Sequence, residues 1–474
     1  MSKNKTNSTC DDSMTFEECE LAILRSSVDN AVYIKGSNLV NDPAIIKLIG
    51  ITENFIRDKK LICYGGTAIN NILPKKDRFY DLDSELPDYD VYSPDGMADA
   101  IELADIYHAN GYTDIEAKAG MHDGTYKVFV NFIPVADITT MNKELFRGIS
   151  KDAVIIDGIK YTPINYLRMS MYKELSRPKG DISRWEKVMK RLTLLNKNFP
   201  LKGKKCDTID IQRVVDKNSP LDKEDIRRIF VITRENFIKQ KVVFFGAVAN
   251  RLYMRHYDHY TKELKEIPDF DILAKAPLKC ANELKDKLTK EGYNHIRIVK
   301  HPNAGEVIPE HYEVIIDGDT IAFIYKAFDC HSYNSIKLNG KNMKIASIDT
   351  MLNMYLAFLY MNRPYYDKNR IICMSEFLFK VQDKNRLKQK GILKRFTINC
   401  YGNPVTKERI KSRRNNLHKK LKRDRSSKKY RRHFLKYTPG QPSRQDLKST
   451  IRRRRIPTAR RRKTRKIFKN IFKL

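Results

Sequence analysis

Three aspartates are spaced so that their carboxylates could share bound metal ions. Asp88 and Asp90 lie two residues apart in a short extended stretch, and Asp137 closes a later apolar stretch. On a β-strand, residues i and i+2 point to the same face, so Asp88 and Asp90 would lie side by side and Asp137 could join them from a neighbouring strand. Clustered carboxylates need a counter-charge, and Mg²⁺ prefers carboxylate, water and phosphate oxygens. Two such ions about 4 Å apart activate an attacking hydroxyl and stabilise a departing pyrophosphate, which is the chemistry of phosphoryl or nucleotidyl transfer.

A glycine pair upstream of the aspartates suits phosphate binding. Gly65 and Gly66 follow an apolar stretch and precede residues that can begin a helix. Because glycine lets the backbone amides approach an anion where a helix begins, we expect Gly65, Gly66 and Thr67 to line a phosphate pocket. A lone Gly-Gly is usually a tight turn, and a lone Asp-x-Asp is usually a solvated strand end. The prediction therefore depends on both motifs being present in this order along the chain.

Basic residues after Asp137 are candidates for the triphosphate and for the charge that develops on pyrophosphate. They are Arg168, Lys173, Arg184 and Lys187. For each one, an exposed helix charge is an equally good interpretation. Trp185, the only tryptophan, is interpreted as a half-buried helix anchor rather than as a platform for a base.

The elements that would position these residues occur twice, about 181 residues apart. Each copy contains four features in the same order: an apolar strand with a glycine turn, an Asp-x-Asp strand, a helix that ends in Gly-Tyr and a strand that closes on an aspartate. In the second copy they lie around Gly246, Asp269, Asp271, Tyr293 and Asp329. Such a repeat indicates a duplicated α/β unit. The second copy has Ala247 where the first has Gly66. Aligning Leu167 with Leu352 puts Asn353 and Phe358 opposite Arg168 and Lys173. We therefore expect the first copy to be catalytic and the second to be structural or RNA-holding.

The fold predicted is α+β, with two tandem nucleotidyltransferase-like α/β units, each a mixed sheet packed with helices, and a basic tail. The expected divisions are a disordered N-terminus at 1–15, a catalytic unit at 16–205, a degenerate unit at 206–390 and a basic tail at 391–474.

The basic tail carries most of the net charge of the chain. From Lys407 to Leu474 there are 29 Lys and Arg residues but three acidic ones, which accounts for +26 of the overall +34. We expect this segment to be disordered because its charges repel one another and it has few apolar residues. Phosphate neutralisation makes nucleic acid its expected partner. A solubilising tail and a nuclear-localisation signal remain alternatives.

Other features exclude some classes of protein. No apolar run reaches the roughly 18 residues of a membrane helix, and the N-terminal residues are too polar for a secretory signal. The eight cysteines include no CxxC pair, so we expect reduced thiols in an intracellular protein rather than disulfides or a zinc site.

The motifs also resemble a known family. Tyr64-Gly65-Gly66, the run from Pro87 to Pro94 and Val135-Ala136-Asp137 resemble the polymerase-β-type nucleotidyltransferases. More narrowly, roughly residues 45–380 resemble the poly(A) polymerase catalytic subunits of large cytoplasmic DNA viruses, including the mimivirus-like, asfarvirus and poxvirus enzymes.

This resemblance implies template-independent addition of AMP from ATP, the substrate, to an RNA 3′ end, with Mg²⁺ or Mn²⁺ as cofactor. It implies that Asp88, Asp90 and Asp137 hold the metals. A location in the virion and in the host cytoplasm, within a viral factory, is likewise implied by the family.

Two other functions compete with this one. The enzyme could use another acceptor, such as a tRNA end or a small molecule, although a small molecule would give no role to the basic tail. A non-catalytic nucleic-acid-packaging protein on a relic fold is disfavoured by the intact glycines and aspartates of the first copy. The sequence leaves open the metal preferred, the processivity and whether the chain forms a homodimer or has a processivity partner.

Overall fold

The computed structural model describes residues 10, 13–81, 83–206, 221–257, 269–338 and 340–441. Most of the predicted disordered N-terminus and the last 33 residues of the basic tail lie outside the described residues. The arginine-rich runs at 452–455 and 460–463 are among the latter.

Two eight-stranded mixed sheets form the framework of the protein. The strands of the first sheet are β1 Ile62–Tyr64, β2 Asp90–Ser93, β3 Ile115–Ala119, β4 Thr125–Val130, β5 Ile133–Thr140, β6 Val154–Ile156, β7 Ile159–Tyr161 and β16 Lys436–Tyr437. Their spatial order is β16-β3-β4-β5-β2-β1-β7-β6, in which β2–β5 and β1–β7 are the parallel pairs.

The second sheet repeats this arrangement. Its strands are β8 Val243–Phe245, β9 Phe270–Ala274, β10 Ile296–His301, β11 His311–Ile316, β12 Asp319–Lys326, β13 His331–Leu338, β14 Lys341–Ala346 and β15 Cys400–Tyr401. Their order is β10-β11-β12-β9-β8-β14-β13-β15, with β9–β12 and β8–β14 parallel. Seven strands therefore follow the same order in both sheets, which confirms the predicted duplication.

Helices pack against both sheets. They are α1 Phe16–Val40, α2 Pro43–Asp58, α3 Gly65–Ile72, α4 Gly96–Ala109, α5 Lys143–Lys151, α6 Ile164–Leu175, α7 Trp185–Asn198, α8 Lys223–Lys239, α9 Gly246–Met254, α10 Pro277–Lys290, α11 Ile348–Phe358, α12 Lys368–Lys384, α13 Lys407–Leu421 and α14 Lys428–Phe434. Across the described ranges, none of these helices combines the length and the apolarity that a bilayer span requires.

Local sequence explains why these helices form and how they pack. The Asp42 carboxylate caps α2 by accepting from the Ala44 amide at 2.8 Å, and Leu48, Phe55 and Ile56 then recur on its buried face. Every residue of α11 is buried, because this helix packs against α6 of the first unit and α12 of the second. The predicted α+β fold is confirmed, whereas the residue limits of the two units remain predictions.

The described part of the basic tail differs from the expectation of disorder. Residues 400–401 form β15 of the second sheet, and β16 pairs antiparallel with β3 at the edge of the first. Between them lie α13 and α14, in neither of which is any residue fully buried. The sequence argument held that this segment cannot form a core of its own. Docking on an existing sheet edge needs no such core, because strand pairing uses backbone groups.

The prediction that the cysteines are reduced thiols is wrong for six of the eight. Disulfides join Cys10 to Cys19, Cys206 to Cys373 and Cys330 to Cys400. Their partners are separated by 9, 167 and 70 residues, so the fold brings the pairs together where no sequence spacing could indicate them. Cys63 and Cys280 are free and buried.

Candidate active site

Two parallel strands bring the three predicted aspartates together. Asp90 begins β2 and lies directly beside Asp137 of β5. The loop before β2 is fixed to the same strand, because the Asp137 amide donates to the Tyr89 carbonyl at 2.9 Å. Asp88, at the end of this loop, is close enough to Asp137 for the two charges to interact.

The carboxylates raise one another's pKa. Burial, and then the charges of Asp88 and Asp137, raise the pKa of Asp90 to about 7. Burial and the charge of Asp137 also raise the pKa of Asp88. Each shift arises because ionisation adds negative charge to a partly desolvated cluster. A hard divalent cation would relieve this repulsion, so the oxygen donors suit Mg²⁺ or Mn²⁺ in their chemistry.

Lys127 supplies the counter-charge in this structure. It lies on β4 directly opposite Asp137, and its Nζ forms an ion pair with Asp137 Oδ2. Its positive charge acts to lower the pKa of both Asp88 and Asp90, but the upward shifts from burial and the neighbouring carboxylates are larger. Within the described ranges no group of three or more His, Cys, Asp or Glu side chains is arranged to hold a metal ion. Sequence reasoning missed Lys127 because only the pairing of β4 with β5 places it beside Asp137.

The predicted glycine turn lies against the same carboxylates. Gly65 begins α3 with φ +76°, and a Cβ there would lie 2.5 Å from Asp90 Oδ2. Both the positive φ and the close approach require glycine at this position. The residue before it, Tyr64, provides no side-chain cap to α3, so the first amides of the helix remain available.

Gly66 is required for a different reason. A Cβ at Gly66 would overlap Tyr80 Oη and lie 3.1 Å from Arg191 Nη1. Arg191 donates to Tyr80 Oη at 2.8 Å, and its guanidinium lies 4.5 Å from the centre of the Phe79 ring. Arg191 is thus a positive group beside the glycine turn. Sequence reasoning missed Arg191 because it lies 125 residues downstream of Gly66, on α7.

Thr67 connects the glycine turn to the loop of Asp88, and its role in lining a phosphate pocket remains a prediction. Its side chain is buried, and Oγ1 donates to the Asp88 carbonyl at 2.7 Å. This hydrogen bond ties the first turn of α3 to the loop that carries Asp88.

The four predicted basic residues lie in different surroundings. Arg168 is 1% exposed and donates to Asn196 Oδ1 at 2.7 Å, to Asn165 and to the Phe199 carbonyl. These contacts join α6 to the end of α7 and give Arg168 a structural role, and triphosphate binding by Arg168 stays a prediction.

Lys173 lies where the two units meet, 4.0 Å from Glu306. Burial, and then the charge of Arg177, lower its pKa to about 8. Arg184 is exposed, lies 3.5 Å from Glu174 and is near enough to Asp90 to lower that residue's pKa. Lys187 is exposed on α7. For Lys173, Arg184 and Lys187, triphosphate binding remains a prediction.

Comparison with known proteins places this geometry in a family. A sequence model of the poly(A) polymerase catalytic subunit matches residues 50–181, which include the glycine turn and all three aspartates. The chain is 26% identical over 430 residues to a protein of Acanthamoeba polyphaga mimivirus described as "Putative poly(A) polymerase catalytic subunit", covering 80% of this chain and 71% of the relative.

The chain is thus similar to poly(A) polymerase catalytic subunits, through a family model over residues 50–181 and through a relative over most of its length.

Further comparisons agree with this assignment. A protein of the same description from African swine fever virus (strain Badajoz 1971 Vero-adapted) is 31% identical over 157 residues, which cover 32% of this chain and 33% of that relative. The crystal structure of the Megavirus polyadenylate synthase matches with a TM-score of 0.75 at 22% identity, over 96% of this chain and 93% of that one. At this identity the structural match shows a common fold. The predicted family and the predicted enzyme class, a poly(A) polymerase, are confirmed.

Trp185, just after the residues matched by the family model, is a helix anchor as predicted. Its Nε1 donates to the Glu174 carbonyl at 3.1 Å, and its ring packs on Phe396.

Strand register identifies the counterpart of Asp137 in the second unit of this polymerase. Asp271 of β9 lies beside Phe323 of β12, as Asp90 lies beside Asp137. The prediction that Asp329 is the third aspartate of this unit is therefore wrong. Asp329 lies six residues further along and pairs with Arg177 Nη1 at 2.7 Å, across the contact between the units.

Other parts of the catalytic arrangement are also changed in the second unit. Gly246 keeps a positive φ of +65° beside Asp271, but Ala247 follows it. The strand pairs align Tyr161 with Ile345, so Leu352 and Ala357, rather than Asn353 and Phe358, correspond to Arg168 and Lys173. The predicted alignment is therefore one residue out, although the loss of both basic residues stands.

A cavity of about 40 Å³ remains at the position of the second-unit site. This volume accommodates a few water molecules. The aromatic part of its lining consists of Tyr325, Tyr355, Phe358, Tyr365 and Tyr366. Aromatic rings thus occupy much of the space around Asp269 and Asp271.

Proposed function

We propose that this polymerase adds AMP from ATP to RNA 3′ ends without a template, and that its first unit alone is catalytic. The observation that supports this proposal best is the convergence of Asp88, Asp90 and Asp137 beside the turn at Gly65, within the residues matched by the family model. The second unit lacks the third carboxylate, since Phe323 takes its place.

Asp88, Asp90 and Asp137 would hold Mg²⁺ or Mn²⁺. When bound, such ions lower the pKa of the primer 3′-hydroxyl and stabilise the leaving pyrophosphate. The three carboxylates provide the negative charge that would attract the cations. The hydrogen bond from Thr67 holds the loop that carries Asp88.

The remaining charges of the first unit would act on the nucleotide. The open amides at the start of α3, together with Arg191, would orient the triphosphate, since both lie at the glycine turn. Arg184, whose charge lowers the pKa of Asp90, would stabilise negative charge on the far phosphates. Lys127, which pairs with Asp137, would neutralise that carboxylate in the absence of a cation.

The test is an extension assay with radiolabelled ATP, oligo(A) RNA and Mg²⁺ or Mn²⁺. We expect a ladder of products with the wild type and none with Asp88→Ala or Asp90→Ala. Asp114→Ala, which removes an exposed carboxylate from the same unit, is the control and should be fully active.

Two outcomes would contradict the proposal. If the wild type fails to extend RNA with any of the nucleotides, the enzyme uses another acceptor or the chain only binds nucleic acid. If both aspartate variants retain more than a few per cent of activity, the site is wrongly assigned.

The viral source of the relatives supports a role in viral mRNA polyadenylation within infected cells. Loss of poly(A) tails from viral transcripts on depletion of this protein would test this role.

A further inference from the structure

The C-terminal module, defined here as residues 407–437, is attached to the catalytic unit by several contacts. The Leu435 carbonyl accepts from the Ala119 amide at 3.0 Å, where β16 extends the first sheet. Tyr126 Oη donates to the Arg432 carbonyl at 2.7 Å. Further contacts are the pair of His433 with Asp123 at 2.6 Å and hydrogen bonds from Arg414 to the Gly120 carbonyl and from Tyr437 to Asp105. The module is thus anchored at the turn between β3 and β4.

The module carries far more positive charge than it can neutralise. Residues 407–441 contain 15 Lys and Arg residues and only two acidic residues, Glu408 and Asp424. Within α13, the side chains of Arg409, Arg413 and Lys420 are exposed. Positions four and seven residues apart share one helix face, so these three form a basic stripe.

The helix that carries the stripe contacts two segments of the first unit through its other face. At the start of α13, Lys407 Nζ pairs with Asp181 Oδ2 at 3.2 Å, and Asp181 immediately precedes the turn that carries Arg184. Seven residues on, Arg414 reaches the turn that leads into β4, the strand of Lys127. A helix of 15 residues is about 22 Å long. Therefore α13 runs between the two segments that carry Arg184 and Lys127.

We infer that the basic stripe of α13 binds the phosphates of the RNA substrate just upstream of its 3′ end and directs that end to the carboxylate cluster. This inference rests on the proposed function and specifies where the RNA lies. RNA is favoured over an anionic membrane because Ile410, Leu417 and Leu421 are partly covered and leave no exposed apolar face to enter a bilayer. Guanidinium groups on a rigid helix suit phosphate recognition.

The test compares two triple variants of the full chain. The first is Arg409→Gln, Arg413→Gln and Lys420→Gln, in which glutamine preserves helix propensity. The matched control is Lys279→Gln, Lys287→Gln and Lys290→Gln, three exposed lysines on α10 of the second unit. Affinity for labelled oligo(A) is measured against salt concentration, with unfolding curves to verify that each variant is folded.

Counterion release predicts the size of the effect. For single strands the slope of log affinity against log salt changes by about 0.7 for each phosphate contact, so the α13 variant should lose about 2 from its slope. At 0.1 M salt the same relation gives a loss of affinity of about 100-fold. The control should change neither quantity. Single-turnover AMP addition at saturating short primer should be unchanged in the control, which alters neither the stripe nor the carboxylates and the glycine turn.

The possible outcomes are distinct. An α13 variant that keeps the wild-type slope and affinity would overturn the inference while leaving the proposed function standing. An equal loss in the control would also overturn it, since the effect would then depend on overall charge. Loss of binding to vesicles of anionic lipid with unchanged RNA binding would assign the stripe to a membrane instead. Failure of the wild type to extend RNA would contradict the proposed function itself.

Discussion

Replacing Asp90 by asparagine should stabilise the protein in the absence of metal, and this should depend on pH. The folded protein holds the pKa of Asp90 at about 7, compared with an ordinary value of 3.8. The difference is about 3 pH units, and each unit corresponds to 1.36 kcal/mol, so ionising Asp90 costs the folded state up to about 4 kcal/mol. Partial exposure of the side chain makes this an upper value.

The sign follows from proton binding. Between about pH 4 and pH 7 the folded state binds the proton of Asp90 more tightly than the unfolded chain does, so the wild type loses stability as the pH rises through this range. Asparagine has nearly the same shape and no charge to lose. The free energy of unfolding of Asp90→Asn should therefore equal that of the wild type near pH 4 and exceed it increasingly up to pH 7. Above pH 7 the difference should be constant.

The assay is urea unfolding in EDTA at pH 5, 6, 7 and 8, with Asp114→Asn as a control outside the cluster. Added Mg²⁺ should then stabilise the wild type by RT ln(1 + [Mg²⁺]/Kd), about 2.7 kcal/mol at 100 times Kd, and should affect Asp90→Asn much less. A variant no more stable than the wild type at pH 8 would refute the reasoning. So would a difference in stability that does not change with pH, because repulsion between ionised carboxylates would then not be its cause.

Three further variants, two single and one double, probe residues around the sites. Arg168→Met should lower the free energy of unfolding by about 2 kcal/mol in urea titrations, because it leaves three partly buried acceptors unpaired, whereas a phosphate ligand would show a raised KM for ATP in stable protein. Thr67→Val should lower the free energy of unfolding by about 1 kcal/mol and should also lower kcat, because it frees the loop of Asp88. An unchanged kcat would show that Thr67 does not position this loop for catalysis. The pair Asp269→Asn and Asp271→Asn should leave single-nucleotide addition nearly normal in folded protein, whereas a loss matching that of Asp88→Ala would mean that both units contribute to catalysis.

The sequence predicted what depends on local pattern. The glycine turn, the Asp-x-Asp strand and their recurrence are each contained in a few consecutive residues, and the two sheets repeat one strand order, as the predicted duplication requires. Pairing between strands was beyond local pattern. Asp329 closes an apolar stretch just as Asp137 does, but the register of β12 places Phe323 beside Asp271.

Side-chain roles were the least predictable part of the site. Arg168 and Arg191 are both arginines on helices after Asp137, yet one is enclosed by backbone and amide oxygens and the other lies at the glycine turn. Only the packing of α6 against α7 distinguishes them. Lys127 was missed for the related reason that its partner is across the sheet.

Strand β16 has a consequence for how the protein is made. It covers the edge of β3, a strand synthesised about 300 residues earlier. The hydrogen bond from Tyr126 to the Arg432 carbonyl joins residues that are similarly far apart, with a separation of 306 residues. A nascent chain must therefore hold the first sheet with an open edge until the residues of β16 have left the ribosome, and contacts of such long range form slowly. We expect products of premature termination before residue 436 to expose this edge and to aggregate or be degraded, so that only chains that include β16 yield a stable protein.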